Sequence, residues 1–368
     1  MMAQNNCRKT IKQRNNGLQI LRSIACFLIF LSHYNAFHHF TTKFDAGAFG
    51  VEIFIILSGF IKVLYNSSEN LEKNSIRKIF QTLIRKFRKI YPLHLFTLLA
   101  AIPFELEMIK NGESSIKHLI CALFLNILCL QSFIPRSSFY FSLNAVSWYL
   151  TLVLIFLLLG DLFLFIIKKV SKKIKIPWIL CILILLEILW TYCFQFSNIK
   201  HWLIYINPLV RCLDFCIGIV IGYIYKNLNY NTKIIKFSVF ASLISTIFSL
   251  FICRLIVDTK FEAYSYSVCF IPASLFLVFS FALIGDKEEI SKKNLIVLFG
   301  NVTMEFFLIH QIICRYICKV LTNYSLFEAV TNNLFWGLCV TLAGGGGGTL
   351  LLIFIWRKAH NIVLGDKQ

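Results

Sequence analysis

Three ionisable residues near the start of the chain have types and spacings that suit acid–base chemistry. Arg22 and His33 enclose an apolar run, and Glu52 lies in a second apolar segment over residues 50–60. Eleven residues separate Arg22 from His33, which in an α-helix is about three turns, or about 16 Å along one face. An imidazole is a common general base, and a guanidinium suits phosphate oxygens. Ionisable groups inside apolar segments are costly, so they indicate a functional site.

The positions of these residues along two neighbouring helices predict how they are arranged. We expect the first two apolar segments to form a hairpin, with His33 and Glu52 near the same outer end. A carboxylate beside an imidazole fixes its tautomer and raises its basicity. Ser58 is a small residue that leaves room for a slender ligand. A simpler interpretation stays open, in which a snorkelling arginine, an interfacial histidine and a water-facing carboxylate have unrelated roles.

The composition places these residues in a membrane. Of the 368 residues, 58% are hydrophobic and 15% are charged, against roughly 45–50% and about 25% in soluble domains. The net charge of +19 comes from basic residues in short loops between apolar segments, as the positive-inside rule places them in membrane proteins. We therefore expect no nucleic-acid partner. The thirteen cysteines are scattered, mostly through apolar runs, and show no cluster at metal-ligand spacing, so we expect no metal.

Apolar stretches of about 20 residues, enough to cross a bilayer as a helix, recur along the chain. We predict an all-α integral membrane protein with ten spans, at residues 17–36, 46–65, 91–109, 145–167, 176–196, 202–225, 234–257, 265–285, 295–318 and 332–356. The basic loops put both termini in the cytoplasm. Segment 116–134 would then break the alternation if it crossed, so we predict an interfacial or re-entrant helix there. The predicted domains are a basic cytoplasmic N-terminus at 1–16, one transmembrane domain at 17–357 and a short cytoplasmic tail at 358–368.

Two further segments stand out. In the longest predicted cytoplasmic loop, 66–90, apolar residues recur at steps of three and four with basic residues between them, which is typical of an amphipathic helix on the inner membrane surface. Its arginines, including Arg85 and Arg88, either anchor the helix to anionic lipid or bind a ligand. Five consecutive glycines at 344–348 suit close helix packing or a helix break.

Six motifs occur in an order that resembles a known family. They are LRSIA with SH over 21–33, GVEIFIILSGF at 50–60, RKFRKIYPL at 85–93, NAVSWYL at 144–150, NPLVRCLDFCIG at 207–218 and FGNVTMEFFLIHQ at 299–311. Together they resemble the bacterial membrane acyltransferase-3 family, in its stand-alone branch. The resemblance implies a ten-helix enzyme of the bacterial plasma membrane. It would move an acyl group, usually acetyl from cytoplasmic acetyl-CoA, to a hydroxyl of a cell-surface glycan or glycolipid.

The resemblance also implies roles for particular residues. His33 would be the catalytic histidine, and Glu52 stands at the family's acidic position. The predicted donor-binding residues are Arg22, Arg85 and Arg88. The residues that match other polar positions of the family, with a role in substrate binding or structure, are Ser58, Trp148, Arg211 and His310. The expected partners are acyl-CoA, the glycan or glycolipid acceptor and membrane lipid.

These residues together predict a mechanism. Acyl-CoA would dock with its phosphates at Arg22 and the basic helix, and Glu52 would orient His33. His33 would then either deprotonate the acceptor hydroxyl or take the acyl group itself. One departure concerns the acceptor: many relatives carry an acidic pair after the tryptophan motif, whereas here no carboxylate follows Trp148 until Asp161. The acceptor therefore cannot be carried over by analogy.

A different class of protein is the alternative. A transporter or exporter of a lipid-linked sugar or another polar solute would also place polar residues in membrane spans. Such proteins often carry paired, glycine- or proline-broken spans in their two halves. The glycine run at 344–348 has no counterpart in the first half of this chain, which favours the enzyme.

Overall fold

The computed structural model describes residues 14–39, 45–65 and 76–364, without side-chain surroundings for 76–80, 82, 86 and 361–364. Throughout these ranges the regular elements are helical, as predicted. Most of the predicted N-terminal segment 1–16 lies outside the described residues. The same holds for residues 66–75 of the predicted loop and for residues 365–368 of the predicted tail.

The helices follow one another in a simple order. The α-helices are α1 Asn16–His33, α2 Asn35–His38, α3 Ala46–Tyr65, α4 Ile76–Lys110, α5 Ile116–Ile127, α6 Ser137–Tyr140, α7 Trp148–Val170, α8 Ile176–Phe194, α9 Cys212–Asn227, α10 Thr232–Ile256, α11 Ile271–Lys287, α12 Leu295–Gly300, α13 Thr303–Asn323, α14 Phe327–Thr331, α15 Leu334–Cys339 and α16 Gly348–Leu364. The 3-10 turns are Gln131–Phe133, Ala145–Ser147, Glu262–Tyr266 and Val268–Phe270, and the π-helical stretches are Trp202–Ile206 and Val340–Gly347.

In the described part of the chain, eight helical segments are long and apolar enough to cross a membrane. They are Asn16–His33, Ala46–Tyr65, Phe87–Lys110, Ala145–Val170, Ile176–Phe194, Thr232–Ile256, Val268–Lys287 and Leu334–His360. Each of them overlaps one of the ten predicted spans. The structure thus supports a multi-pass membrane protein, and the two remaining predicted spans have a different construction.

Neither of these two spans is a single apolar helix. In the predicted span 202–225, the π-helical stretch Trp202–Ile206 ends where Asn207 becomes extended, and α9 begins only at Cys212. Pro208, which has no backbone N–H and restricts the residue before it, lies at this interruption. The predicted span 295–318 is divided into α12 and α13, and α13 carries several charged side chains. Short and polar segments of this kind need neighbouring helices to shield them.

Helix α4 corrects the predicted boundary between the surface helix and the third span. It runs for 35 residues from Ile76 to Lys110 without a break, which is about 52 Å and exceeds the roughly 30 Å apolar core of a bilayer. Pro92 lies inside this helix and not near its start, so the helix tolerates the missing N–H. Arg85 and Arg88 therefore sit on the same rigid element as the third span.

Helix α3 packs so closely against α9 that their backbones touch. A Cβ added to Gly59 would lie 2.0 Å from the carbonyl oxygen of Phe215, and one added to Gly218 would lie 2.0 Å from that of Ile56. Any larger residue at either glycine would force the helices apart. This contact fixes the position of Glu52 on α3 relative to the start of α9.

The predicted interfacial or re-entrant segment 116–134 contains the short helix α5. Helix α5 has 12 residues, or about 18 Å, so it is shorter than a membrane span. Its apolar face is exposed, with Ile116 64% and Phe124 63% exposed, as expected for an interfacial helix.

The glycine run lies largely in the π-helical stretch Val340–Gly347. At Gly345 it packs closely, since an added Cβ would be 2.4 Å from the Tyr34 ring.

Candidate active site

A large cavity lies between α1, α3, α4, α7, α9 and α13. Its volume of about 1280 Å³ exceeds the roughly 300–1,000 Å³ of ordinary small-molecule sites. The lining changes character along its length, from charged side chains near Arg14 and Tyr65 to apolar ones near Ile29 and Phe307. An elongated ligand with one polar and one apolar end would match this lining.

The charged end of the cavity carries an excess of positive charge. Its basic side chains are Arg14, Arg22, Lys62, Arg85 and Lys89. The acidic side chains of the lining are Asp161 and Glu305, so among the described side chains five basic groups face two acidic ones. Asp161 is paired with Lys62 at 2.7 Å, and Glu305 is paired with Arg357. Among the described residues no carboxylate contacts Arg22 or Arg85, which leaves these two guanidinium groups for an anionic ligand.

Three of the predicted residues line this cavity, and Lys62 is one that the prediction missed. Arg22, Arg85 and Ser58 are in the lining, and the Ser58 hydroxyl donates to the Phe54 carbonyl at 2.7 Å. Arg88 is exposed and is not part of the lining. The signal for Lys62 is present in the sequence, because it is an isolated lysine in an apolar span, one helical turn after Ser58.

The apolar end of the cavity lies on the parts of α1 and α13 that precede His33 and His310, and neither histidine is in the lining. Its lining there includes Ile29, four residues before His33, and Phe307, three residues before His310. The Phe307 ring packs at 5.5 Å from Tyr149 and at 6.0 Å from His310, measured between ring centroids. The structure also brings His33 and His310 together, with 5.1 Å between their ring centroids. Sequence reasoning had selected both residues but had not paired them.

Glu52 is not the partner of His33, which corrects the predicted arrangement. Its carboxylate accepts from the Arg211 guanidinium at 2.7 Å and lies 3.1 Å from the Ser267 hydroxyl. Both Glu52 and Arg211 have fully buried side chains. The physical reason is the close contact of α3 with α9, which directs the acidic face of α3 towards the start of α9 and away from the end of α1.

Arg211 is the centre of a buried ionic cluster. Besides Glu52 it contacts Asp214, three residues later in the chain, at 2.9 Å, and Glu187 at 4.0 Å. The Ser267 hydroxyl also lies 2.5 Å from Glu187. The cluster thus ties α3, α8 and α9 to the turn before α11, and its contacts are internal. We assign a structural role to Arg211 and Glu52.

Trp148 is a packing residue that lies outside the cavity lining. It begins α7 and is buried, and its ring lies 5.1 Å from Tyr205 between centroids. Its backbone carbonyl accepts a hydrogen bond from the Ser132 hydroxyl at 2.8 Å. These contacts hold the start of α7, and the next residue, Tyr149, then reaches the cavity.

Comparison with known proteins assigns this architecture to a family. The family model described as an acyltransferase domain, acyltransferase-3, matches residues 15–355. The chain belongs to the acyltransferase-3 family. This confirms the resemblance carried by the six motifs, all of which lie within the match. The match also spans nearly the whole cavity lining, from Arg22 to Phe307.

A named relative agrees with the family assignment. Over 214 residues the chain is 29% identical to acyltransferase MdmB from Streptomyces mycarofaciens. The matched region covers 51% of this chain and 48% of the relative. The matched region thus spans about half the length of that protein. No solved structure matches the chain. The comparisons support an acyltransferase with membrane helices, and they leave the donor and the acceptor to be identified.

Proposed function

We propose that this acyltransferase-3 protein is a membrane O-acyltransferase. It moves an acyl group, acetyl in the first instance, from cytoplasmic acyl-CoA to a hydroxyl of a cell-surface polysaccharide or glycolipid. The proposed location is the bacterial plasma membrane. The observation that carries the proposal is the cavity with a basic end at Arg22 and Arg85 and an apolar end at Ile29, one turn before His33 on α1.

The two ends of the cavity match the two ends of acyl-CoA. The nucleotide part of CoA carries phosphates, which bind well to guanidinium groups. The pantetheine arm and the thioester are long and slender, as the apolar part of the cavity requires. Arg22 and His33 lie on one helix, eleven residues apart, so the arm would have to extend over about 16 Å. With the phosphates at Arg22, a thioester at the far end of such an arm would reach the level of His33.

The chemistry then needs one proton acceptor. The imidazole of His33 takes the proton of the acceptor hydroxyl, and the hydroxyl oxygen attacks the carbonyl carbon of the thioester. The carbon–sulfur bond breaks, and the departing CoA thiolate takes the proton back from His33. The products are an ester and CoA with a free thiol. A two-step route through an acyl-histidine uses the same residue as the nucleophile, and rapid quenching of enzyme with labelled donor alone separates the two routes.

The lining of the cavity fits an exporter of a polar solute less well than it fits an acyltransferase. A pathway for a polar solute needs polar or charged groups along its length, as in the sites of known transporters. Here the deep part of the cavity is lined by Ile29, Val51, Phe54 and Phe307. An apolar lining of this kind suits the arm of a cofactor better than a sugar.

The test compares cells that express the wild-type chain, His33→Ala or neither. Surface glycans and glycolipids are extracted, and base-labile acetyl is measured by mass spectrometry at equal protein level in the membrane. We expect acetyl on one acceptor with the wild type, and a decrease to the level without the gene for His33→Ala, because a general base contributes about 10²–10⁴-fold to rate. Full acetylation with His33→Ala would remove His33 from catalysis. Absence of any gene-dependent acyl group would contradict the proposed function.

A further inference from the structure

Because Glu52 belongs to the Arg211 cluster, His33 lacks the carboxylate partner that the sequence predicted. A catalytic imidazole needs an acceptor for the N–H on the nitrogen that does not react, since this bond fixes its tautomer and orientation. Among the described residues, the titratable side chain packed against the His33 ring is His310, on α13. The question is therefore whether His310 has a free acceptor.

The hydrogen bonding of His310 determines which of its nitrogens is the acceptor. Its Nδ1 lies 3.1 Å from the carbonyl oxygen of Phe306, one turn earlier on α13. A carbonyl oxygen accepts only, so Nδ1 carries the hydrogen, and in a neutral imidazole Nε2 then has the free lone pair. Nε2 is buried and has no hydrogen-bond partner among the residues that the structure describes. A buried acceptor without a partner is costly and calls for an explanation.

The surroundings of His310 hold its ring in one orientation. Phe306 stacks on it at 5.9 Å, and Phe30 and Phe307 lie at 6.2 and 6.0 Å between ring centroids. The Tyr34 hydroxyl donates to the backbone carbonyl of His310 at 3.2 Å. His310 itself is 1% exposed. A ring enclosed in this way keeps its Nε2 lone pair in one direction, with the His33 ring 5.1 Å away between centroids.

We propose that His310 is the positioning residue of His33, in the role that the carboxylate has in other catalytic histidine sites. Nε2 of His310 accepts the N–H of His33, so that the opposite nitrogen of His33 faces the thioester and the acceptor hydroxyl. This hydrogen bond forms when substrate closes the site, as catalytic hydrogen bonds often shorten in the substrate complex. When His33 takes the proton of the hydroxyl, His310 stabilises the resulting imidazolium. The inference rests on the proposed acyl transfer.

A matched pair of amide variants separates this role from a purely structural one. In His310→Asn the side-chain amide replaces Nδ1, so the bond to the Phe306 carbonyl is kept and the acceptor at Nε2 is lost. In His310→Gln the amide replaces Nε2, so its oxygen supplies an acceptor towards His33 and the Phe306 bond is lost. Both variants are purified in detergent and checked for folding by thermal unfolding, and kcat and donor KM are measured with labelled acetyl-CoA and the acceptor that the cellular comparison identifies.

The proposal predicts a definite order of activity. We expect kcat to fall about 100-fold in His310→Asn and about tenfold in His310→Gln, within the range of acid–base contributions, with donor KM unchanged in both. An equal kcat in the two variants, or a more active His310→Asn, would overturn the proposal, because a structural role depends on the Phe306 bond alone. Failure of the proposed function has a separate signature, namely a wild-type protein with no acyl transfer or a fully active His33→Ala.

Discussion

Arg211 and Arg22 both lie within membrane-level apolar sequence, but their surroundings are opposite. Arg211 is fully buried and touches Glu52, Asp214 and Glu187. Arg22 is half-buried and lines a cavity whose acidic groups are paired with other cations. The first arginine has its counterions supplied by the protein, while the second has none among the described residues.

This contrast separates a structural arginine from one that binds a ligand. A charge in a low-dielectric interior must be compensated. Where the protein supplies the compensation, as at Arg211, the residue holds helices together. Where it does not, as at Arg22 and Arg85, an anionic ligand is the natural partner. Variants at Arg211, Arg22 and Arg85 test this contrast.

Removing the Arg211 guanidinium has the largest expected effect. Arg211→Leu leaves the carboxylates of Glu52, Asp214 and Glu187 buried without their cation, which costs about 3–5 kcal/mol. We expect little folded protein in the membrane and a lower midpoint of thermal unfolding in detergent. Arg22→Leu is the control, with an unfolding midpoint close to that of the wild type. If Arg211→Leu were as stable as Arg22→Leu, the cluster would not be structural.

Removing the Arg22 charge is expected to change donor binding and leave the fold intact. Loss of one hydrogen bond to a charged group costs about 1.5–3 kcal/mol, so Arg22→Gln should raise the donor KM by about tenfold or more. The measurement is initial rate against acetyl-CoA concentration, with the unfolding midpoint recorded on the same preparation. A donor KM unchanged in Arg22→Gln would contradict the placement of the donor phosphates at this end of the cavity.

The smallest effect distinguishes two arginines one turn apart on α4. Arg85 lines the cavity, whereas Arg88 does not. Because Arg85 is exposed to solvent, its contribution is expected to be near 1 kcal/mol or less. We expect a rise of a few-fold in donor KM for Arg85→Gln and no change for Arg88→Gln. Equal effects of the two variants would favour a general attraction of the basic helix to anionic lipid, which is the alternative considered from the sequence.

Part of the candidate site could be predicted because it depends on local sequence. The 3.6-residue repeat of a helix places Arg22 and His33 on one face of α1, and the short spacing of Arg211 and Asp214 allows their ion pair. Contacts between residues of different helices do not follow from local sequence. Glu52 was assigned to His33, but its partner is Arg211, which is 159 residues away in the chain. Likewise, His310 was selected as polar without its contact to His33.

The amino-acid sequence alone indicated a helical membrane protein that resembles the acyltransferase-3 family, and it selected candidate residues for the proposed chemistry. The length of the apolar segments, the basic loops and the order of the motifs are properties of the amino-acid sequence, so they can be recognised from it alone. Which of those residues come into contact depends on how the helices pack. The backbone contact of α3 with α9 at Gly59 and Gly218 positions Glu52 against Arg211. The packing of α13 on α1 positions the His310 ring against the His33 ring. The physical reason is that helix packing sets which faces touch, whereas periodicity sets only which residues share a face.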